Sequence, residues 1–119
     1  MEYEQQTTAY PTIAVNTSSG MVFLQENEIL YCKAEGSYTH LYLNDANKNK
    51  ITVAKSLNKV LASLNTEYFV RIHNSFIINL LHLTSFNNPH KNYVTMTDGT
   101  NLAVSRNRKE AFMNRFRKI

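Results

Sequence analysis

Short apolar runs recur along the chain at residues 21–24, 29–34, 38–43 and 51–54, each bounded by Asn, Asp, Gly or Lys clusters. That spacing predicts strands joined by tight turns. The period changes between Ser56 and Asn65, where Leu57, Val60, Leu61 and Leu64 fall at i, i+3, i+4 and i+7. This lines one face of a helix, and Ser56 is placed to cap its first turn. A leucine and valine stripe of this kind reads as core packing rather than as a partner groove. Residues 68–72 and 76–80 return to strand character, and residues 83–86 add a further short piece.

The turn at Asp98-Gly99 distinguishes two registers. A two-residue turn sets Val94 opposite Ala103 and Met96 opposite Asn101. A three-residue loop of Thr97, Asp98 and a left-handed Gly99 sets Val94 opposite Leu102 and Met96 opposite Thr100. Only the longer loop brings Val94, Met96, Leu102 and Val104 to one face, so it is the expected register. The strand runs out at Ser105, which can cap a final helix. Phe112 and Phe116, at i and i+4, would dock on the core while Arg108 and Arg115, at i and i+7, stay in water. Arg106 then emerges at a strand-to-helix corner.

Polar side chains interrupt the apolar frame between Arg71 and Asn79. A buried polar atom without a hydrogen bond costs about 1–3 kcal/mol, so His73, Asn74 and Ser75 are either satisfied internally or stand on an exposed turn where a ligand can meet them. Charge points the same way. Of the 13 Lys and Arg residues in the 119-residue chain, six lie between Ser105 and Ile119 beside one acid, Glu110, which leaves that segment at +5. Seven basic residues against eight acids leave the remainder at −1. One basic end on a nearly neutral body outlines a polyanion-binding surface. The corner at Arg106 and Arg108, with the free N–H groups of a helix start, makes a plausible anion cradle. A solvated basic helix that contacts nothing satisfies the charge equally well.

The length suits one domain, with residues 1–20 expected as a partly flexible linker or edge segment and residues 21–119 as the folded unit. The lone Cys32 makes no internal disulfide, and no second cysteine supplies zinc-site spacing, so neither metal nor other cofactor is expected. No apolar run approaches the roughly 20 residues that cross a bilayer, and the start is too polar for a signal peptide. A soluble cytoplasmic protein without membrane contact is the expectation. His40, His73, His82 and His90 are scattered, with no paired carboxylates, nucleophile elbow or glycine-rich phosphate loop, which argues against an enzyme.

Several of these motifs come in a familiar order. The run Phe69-Val70-Arg71-Ile72-His73-Asn74-Ser75-Phe76-Ile77-Ile78-Asn79, the Asp98-Gly99 turn and Val104-Ser105-Arg106 resemble the LytTR DNA-binding domain of bacterial response regulators. Tyr31-Cys32-Lys33-Ala34-Glu35-Gly36-Ser37-Tyr38-Thr39 and the helix start at Ser56-Leu57 match the same pattern, so the likeness covers residues 24–116. It implies a mostly β fold of short antiparallel strands in small stacked sheets, with one short internal helix and a C-terminal helix. It also implies loops that enter successive major grooves of bent double-stranded DNA, on tandem repeat sites that a second copy would share. Members of the family act as transcription regulators in two-component systems, and a receiver or sensor domain is expected N-terminal or in trans.

On that resemblance the reading loops are residues 35–40, the turn around Asn74 and the corner at Arg106. Arg106 can donate two hydrogen bonds to guanine, Asn74 can bridge adenine N6 and N7, and Tyr38, Thr39 and His40 compete for one groove-facing position. Asn74 departs from the Arg that many relatives carry there. Lys55, Arg71, Arg108 and Lys109 suit phosphate contacts that set register. His73, Ser75 and Asn79 read as structural. A non-catalytic β module that binds a protein or single-stranded RNA through exposed tyrosines is the rival class, and preference for duplex over single strand separates the two.

Overall fold

The computed structural model describes residues 12–87 and 92–119. Ten strands and two helices follow one another as β1 (Thr12–Thr17), β2 (Gly20–Gln25), β3 (Ile29–Glu35), β4 (Tyr38–Leu43), β5 (Lys50–Val53), α1 (Leu57–Ala62), β6 (Phe69–His73), β7 (Phe76–Asn79), β8 (Leu83–Asn87), β9 (Tyr93–Met96), β10 (Asn101–Ala103) and α2 (Arg106–Met113). Short 3-10 turns at Glu26–Glu28 and Leu80–His82 lead into β3 and β8. The strands form three antiparallel sheets: a β1-β2 hairpin, a central sheet in the order β5-β4-β3-β7-β6, and a third in the order β10-β9-β8. The mostly β fold of small stacked sheets with two helices is as expected from the sequence.

Through β3 and β7 the central sheet is buried on both faces, and the reason is visible in adjacent apolar pairs, whereas Lys33, Lys50 and Thr52 leave one face of the β4-β5 end exposed. A strand alternates its side chains between faces, so neighbouring apolar residues feed opposite cores. Ile29 and Ile77 enter the core shared with Val15, Leu24, Val53, Leu57 and Val60. Leu30 and Ile78 enter the other, with Val94, Met96, Leu102, Val104 and Phe112. The β9–β10 hairpin adopts the three-residue loop: Val94 pairs with Leu102, the Met96 amide donates to Thr100 O at 2.8 Å, and Gly99 has φ +89°. Ser56 caps α1 by accepting from the Lys59 amide at 3.3 Å. Phe112 is buried and packs edge-to-face on Phe116 with ring centroids 5.3 Å apart.

The expectations for Ser105 and Arg108 need amendment, and the start of the chain gains detail. Within the segment expected as a linker or edge, residues 12–17 form β1, which pairs with β2 from Thr12–Gln25 to Thr17–Gly20 and buries Val15; residues 1–11 and His90 lie outside the described residues. Ser105 occupies the cap position of α2 without capping it. Its hydroxyl faces Asn107 Oδ1 at 3.0 Å and Ile72 O at 3.4 Å instead. Arg108 does not stay in water. It is half-buried, and its Nε has no hydrogen-bond partner. Arg115 is exposed, but its guanidinium donates to Thr66 O and Glu67 O at 2.7 and 3.2 Å.

One end of the central sheet is pinned by a buried amide. Asn79 is fully buried; its Nδ2 donates to Ile29 O at 2.9 Å and Glu26 O at 3.4 Å, and its Oδ1 accepts from the Leu81 amide at 3.0 Å. Glu26, also buried, accepts from the Asn65 amide at 2.8 Å, and His82 Nε2 donates to Asn27 O at 2.6 Å. A leucine at position 79 would keep the volume and strand three backbone groups in a dry site. Asn79→Leu should therefore lower unfolding free energy by about 1–3 kcal/mol, read from the urea midpoint at unchanged slope.

Candidate nucleic-acid interface

The opposite rim of the central sheet gathers the turns that the sequence singled out. β3 and β4 are joined by Gly36 and Ser37, with Gly36 at φ +60°, a conformation that costs glycine little. β6 and β7 are joined by Asn74 and Ser75, and their register slips between Arg71 and His73 just before the turn, which re-aims it. Two main-chain bonds fasten this second turn to its neighbours. Ala34 N donates to Ser75 O at 2.9 Å, and Ser105 N donates to Ile72 O at 2.8 Å. The β3–β4 turn, Asn74 and the start of α2 therefore lie along one edge.

The side chains on this edge divide into presenters and supports. Asn74 and Arg106 are exposed, as is Lys55, and Tyr38 is 51% exposed. Thr39 and His40, by contrast, are withdrawn. Thr39 is fully buried and its hydroxyl donates to Lys55 O at 2.7 Å. His40 is buried, with Nε2 donating to Glu35 Oε1 at 2.6 Å and Nδ1 paired to Thr52 Oγ1 at 2.7 Å. Of the three residues expected to compete for one groove-facing position, Tyr38 alone is open to a ligand. The hydrogen bond from His40, then its charge, holds the exposed Glu35 carboxyl below the usual carboxylate range, and Lys50 and Lys33 act the same way.

Arg71 plays a part that the sequence did not announce. Its Nε donates to His73 O at 3.1 Å, its Nη2 to Asn74 O at 2.5 Å, and its Nη1 to Asn58 Oδ1 on α1. A guanidinium presents its donors in a fixed fork, so three acceptors spread over a turn and a helix hold that turn in one pose. Burial, then the neighbouring Arg108 charge, lowers its pKa. Asn58 and Thr52 went unmarked in the sequence, because each acts through a partner on another element and no periodicity signals that. His73 completes the turn by accepting from the Ser75 amide at its Nδ1, 3.0 Å away.

The basic end is divided by the length of α2. Arg106, Arg108 and Lys109 sit in its first turn beside the rim, with Lys109 Nζ 5.6 Å from the Phe86 ring centroid. Arg115 and Lys118 are spent on carbonyls at the far end, where Lys118 Nζ donates to Met113 O at 2.8 Å. Among the described residues the ion pair is Glu35 with His40, and no carboxylate pairs with Lys55, Arg71, Arg106, Arg108 or Lys109. An edge that concentrates unpaired cations with an amide and a phenol suits a polyanion with readable edges.

Comparison with known proteins agrees. A family model described as the LytTr DNA-binding domain matches residues 19–117. An uncharacterized response regulatory protein of Vibrio cholerae is 38% identical over 55 residues, which are 45% of this chain and 21% of that protein, so the match spans about a fifth of the relative. The solved LytTr DNA-binding domain of a Bacillus cereus protein described as a methyl-accepting/DNA response regulator superposes with a TM-score of 0.75 at 21% identity, covering 87% of this chain and 94% of that one. At that identity the likeness speaks to the fold. With the family model matched over every described element except β1, the chain belongs to the LytTR family, a non-enzymatic DNA-binding domain of the kind that serves transcription regulation.

Proposed function

We propose that the rim formed by the β3–β4 turn, the β6–β7 turn and the start of α2 is the DNA-reading edge, and that its loops enter the major grooves of a double helix. The observation that carries this is the pair of main-chain bonds, Ala34 N to Ser75 O and Ser105 N to Ile72 O, which set all three segments side by side. Arg106 donates in bidentate fashion to guanine O6 and N7, Asn74 bridges adenine N6 and N7, and Tyr38 contacts a base edge or sugar. Lys55, Arg108 and Lys109 contact phosphates and carry the salt dependence. Arg71 positions Asn74 more than it touches DNA, since its donors are turned inward. Thr39 and His40 shape the first loop from beneath.

On this reading the chain is the output domain of a cytoplasmic bacterial response regulator. Its sites are tandem repeats on which two copies sit side by side, and its receiver or sensor is N-terminal or a separate protein. Electrophoretic or anisotropy assays with a duplex enriched from a random pool, against its single strands, test the class directly. Strong duplex preference is expected. Equal binding to single strands would favour a stacking module for RNA.

Two substitutions separate specificity from affinity. Arg106→Ala should cost about 1–3 kcal/mol on the selected duplex and relax preference at one base pair. An unchanged order of preference among duplexes would remove Arg106 from base recognition. Lys109→Ala should weaken all duplexes alike and reduce the slope of log K against log salt by about 1.

The Glu35–His40 pair carries a prediction on pH. Because Glu35 has a lowered folded pKa, its pairing with His40 adds stability above the unfolded carboxylate value and loses it as pH falls through the folded one. Glu35→Gln should melt below the wild type at neutral pH and converge with it in acid. Parallel melting curves at every pH would show that the pair contributes nothing.

A further inference from the structure

Between β1, the end of β5 and α1 lies a half-open cavity of about 560 Å³ whose apolar walls play no part in the account of DNA reading. Its size lies within the range of sites for small organic ligands, which are mostly apolar with a few polar groups at fixed points. Val15, Val53, Val60 and Leu64 supply apolar walls, and all four belong to one buried core. A close-packed interior leaves few voids larger than a water, so an opening of this size at the edge of a core invites an occupant. Tyr38 and Lys55 stand in its lining as well. Both are also on the rim proposed to meet DNA.

The wall formed by β1 is the yielding one. The β1-β2 hairpin makes no ladder with the central sheet, and a two-stranded hairpin is marginal by itself, so side-chain packing by Val15 and Leu24 holds it in place. Charge settles the class of occupant. Among the described residues no carboxylate lines the cavity, and Lys55 stands exposed there without an acidic partner. The Lys55 carbonyl is held by the Thr39 hydroxyl, which fixes the backbone from which the ammonium projects.

We propose that this cavity binds a small apolar molecule bearing a carboxylate, with its body among Val15, Val53, Val60 and Leu64 and its anionic group at Lys55, and that the bound ligand weakens DNA binding. The first half stands on the cavity alone, and the second rests on the proposed reading edge. An anion at Lys55 cancels a charge assigned to phosphate, and a body packed against Tyr38 changes the pose of a residue assigned to the groove. Binding at the cavity and binding at the rim then oppose each other, and the opposition is reciprocal.

Decanoate, kept below the concentration at which it aggregates, is the probe, titrated into the full chain by calorimetry and amide NMR. One saturable site is expected, with shifts centred on residues 13–18, 52–55 and 60–64, and an affinity about tenfold or more above that of decylammonium, whose charge is reversed. Val15→Phe fills the cavity from within, and Ala54→Trp blocks it from an exposed position that leaves the core intact. Both should lose decanoate binding, and Ala54→Trp decides if Val15→Phe fails to fold.

Absence of a saturable site, equal binding of decylammonium, or undiminished binding by Ala54→Trp would overturn the cavity assignment. Saturating decanoate should lower affinity for the selected duplex several-fold in the wild type and not in Val15→Phe. Unchanged duplex affinity with decanoate bound would overturn the coupling. A chain that took decanoate and no duplex would refute the DNA reading, and the coupling with it, while the cavity assignment stood.

Discussion

The β6–β7 turn is clamped from both sides by main-chain hydrogen bonds, Ser75 O to the Ala34 amide and Ile72 O to the Ser105 amide, and the candidate interface depends on that clamp. Without it, a β-hairpin tip, a β turn and a helix start would be three separate surface features. With it, they share one edge, and their exposed side chains keep fixed spacings. Arg71 reinforces the clamp from below by tying two carbonyls of the turn to Asn58 on α1. A loop that reads base edges needs such preorganisation, because ordering a mobile loop on binding would subtract from affinity.

Behind the rim lies a sheet covered on one face and over most of the other, and α1 and α2 are spent on that cover, so turns rather than a helix face are offered to a ligand. The hairpin β1-β2 with α1 covers one side and the β8–β10 sheet with α2 covers the β3-β7-β6 part of the other, so only the β4-β5 end of that second face, with the exposed Lys33, Lys50 and Thr52, is left open. The ends of the sheet remain. One is closed by Asn79, Glu26 and His82, which consume their hydrogen-bonding capacity internally. The other keeps Tyr38, Asn74 and Arg106 outward. The same molecule thus has one rim built for cohesion and one left for recognition.

The fold was legible in the sequence wherever a period or a turn constraint acted locally. The α1 stripe, the strands of the central sheet and the β9–β10 register each followed from apolar spacing, and Gly99 decided between two loops through its left-handed backbone. β1 was less legible: Ile13 and Val15 do alternate, but Thr, Ser and Asn around them mask the signal, and the strand is secured by pairing with β2. Among site residues, motif order located the three turns. It did not separate Tyr38 from Thr39 and His40, because depth within a sheet is set by what packs over it. Nor did it foresee that Arg71 turns inward or that Arg108 is half-buried, since both outcomes depend on contacts made across elements.

The central claim, that one rim of the sheet meets duplex DNA, is tested most directly by amide chemical-shift mapping of the full chain titrated with a selected duplex. Perturbations should cluster at residues 35–38, 73–75 and 105–109, with little change at residues 26–28, 44–49 and 79–82. Shifts concentrated at that second set, or on the outer face of the β1-β2 hairpin around the exposed Met21 and Phe23, would place the DNA elsewhere and contradict the assignment.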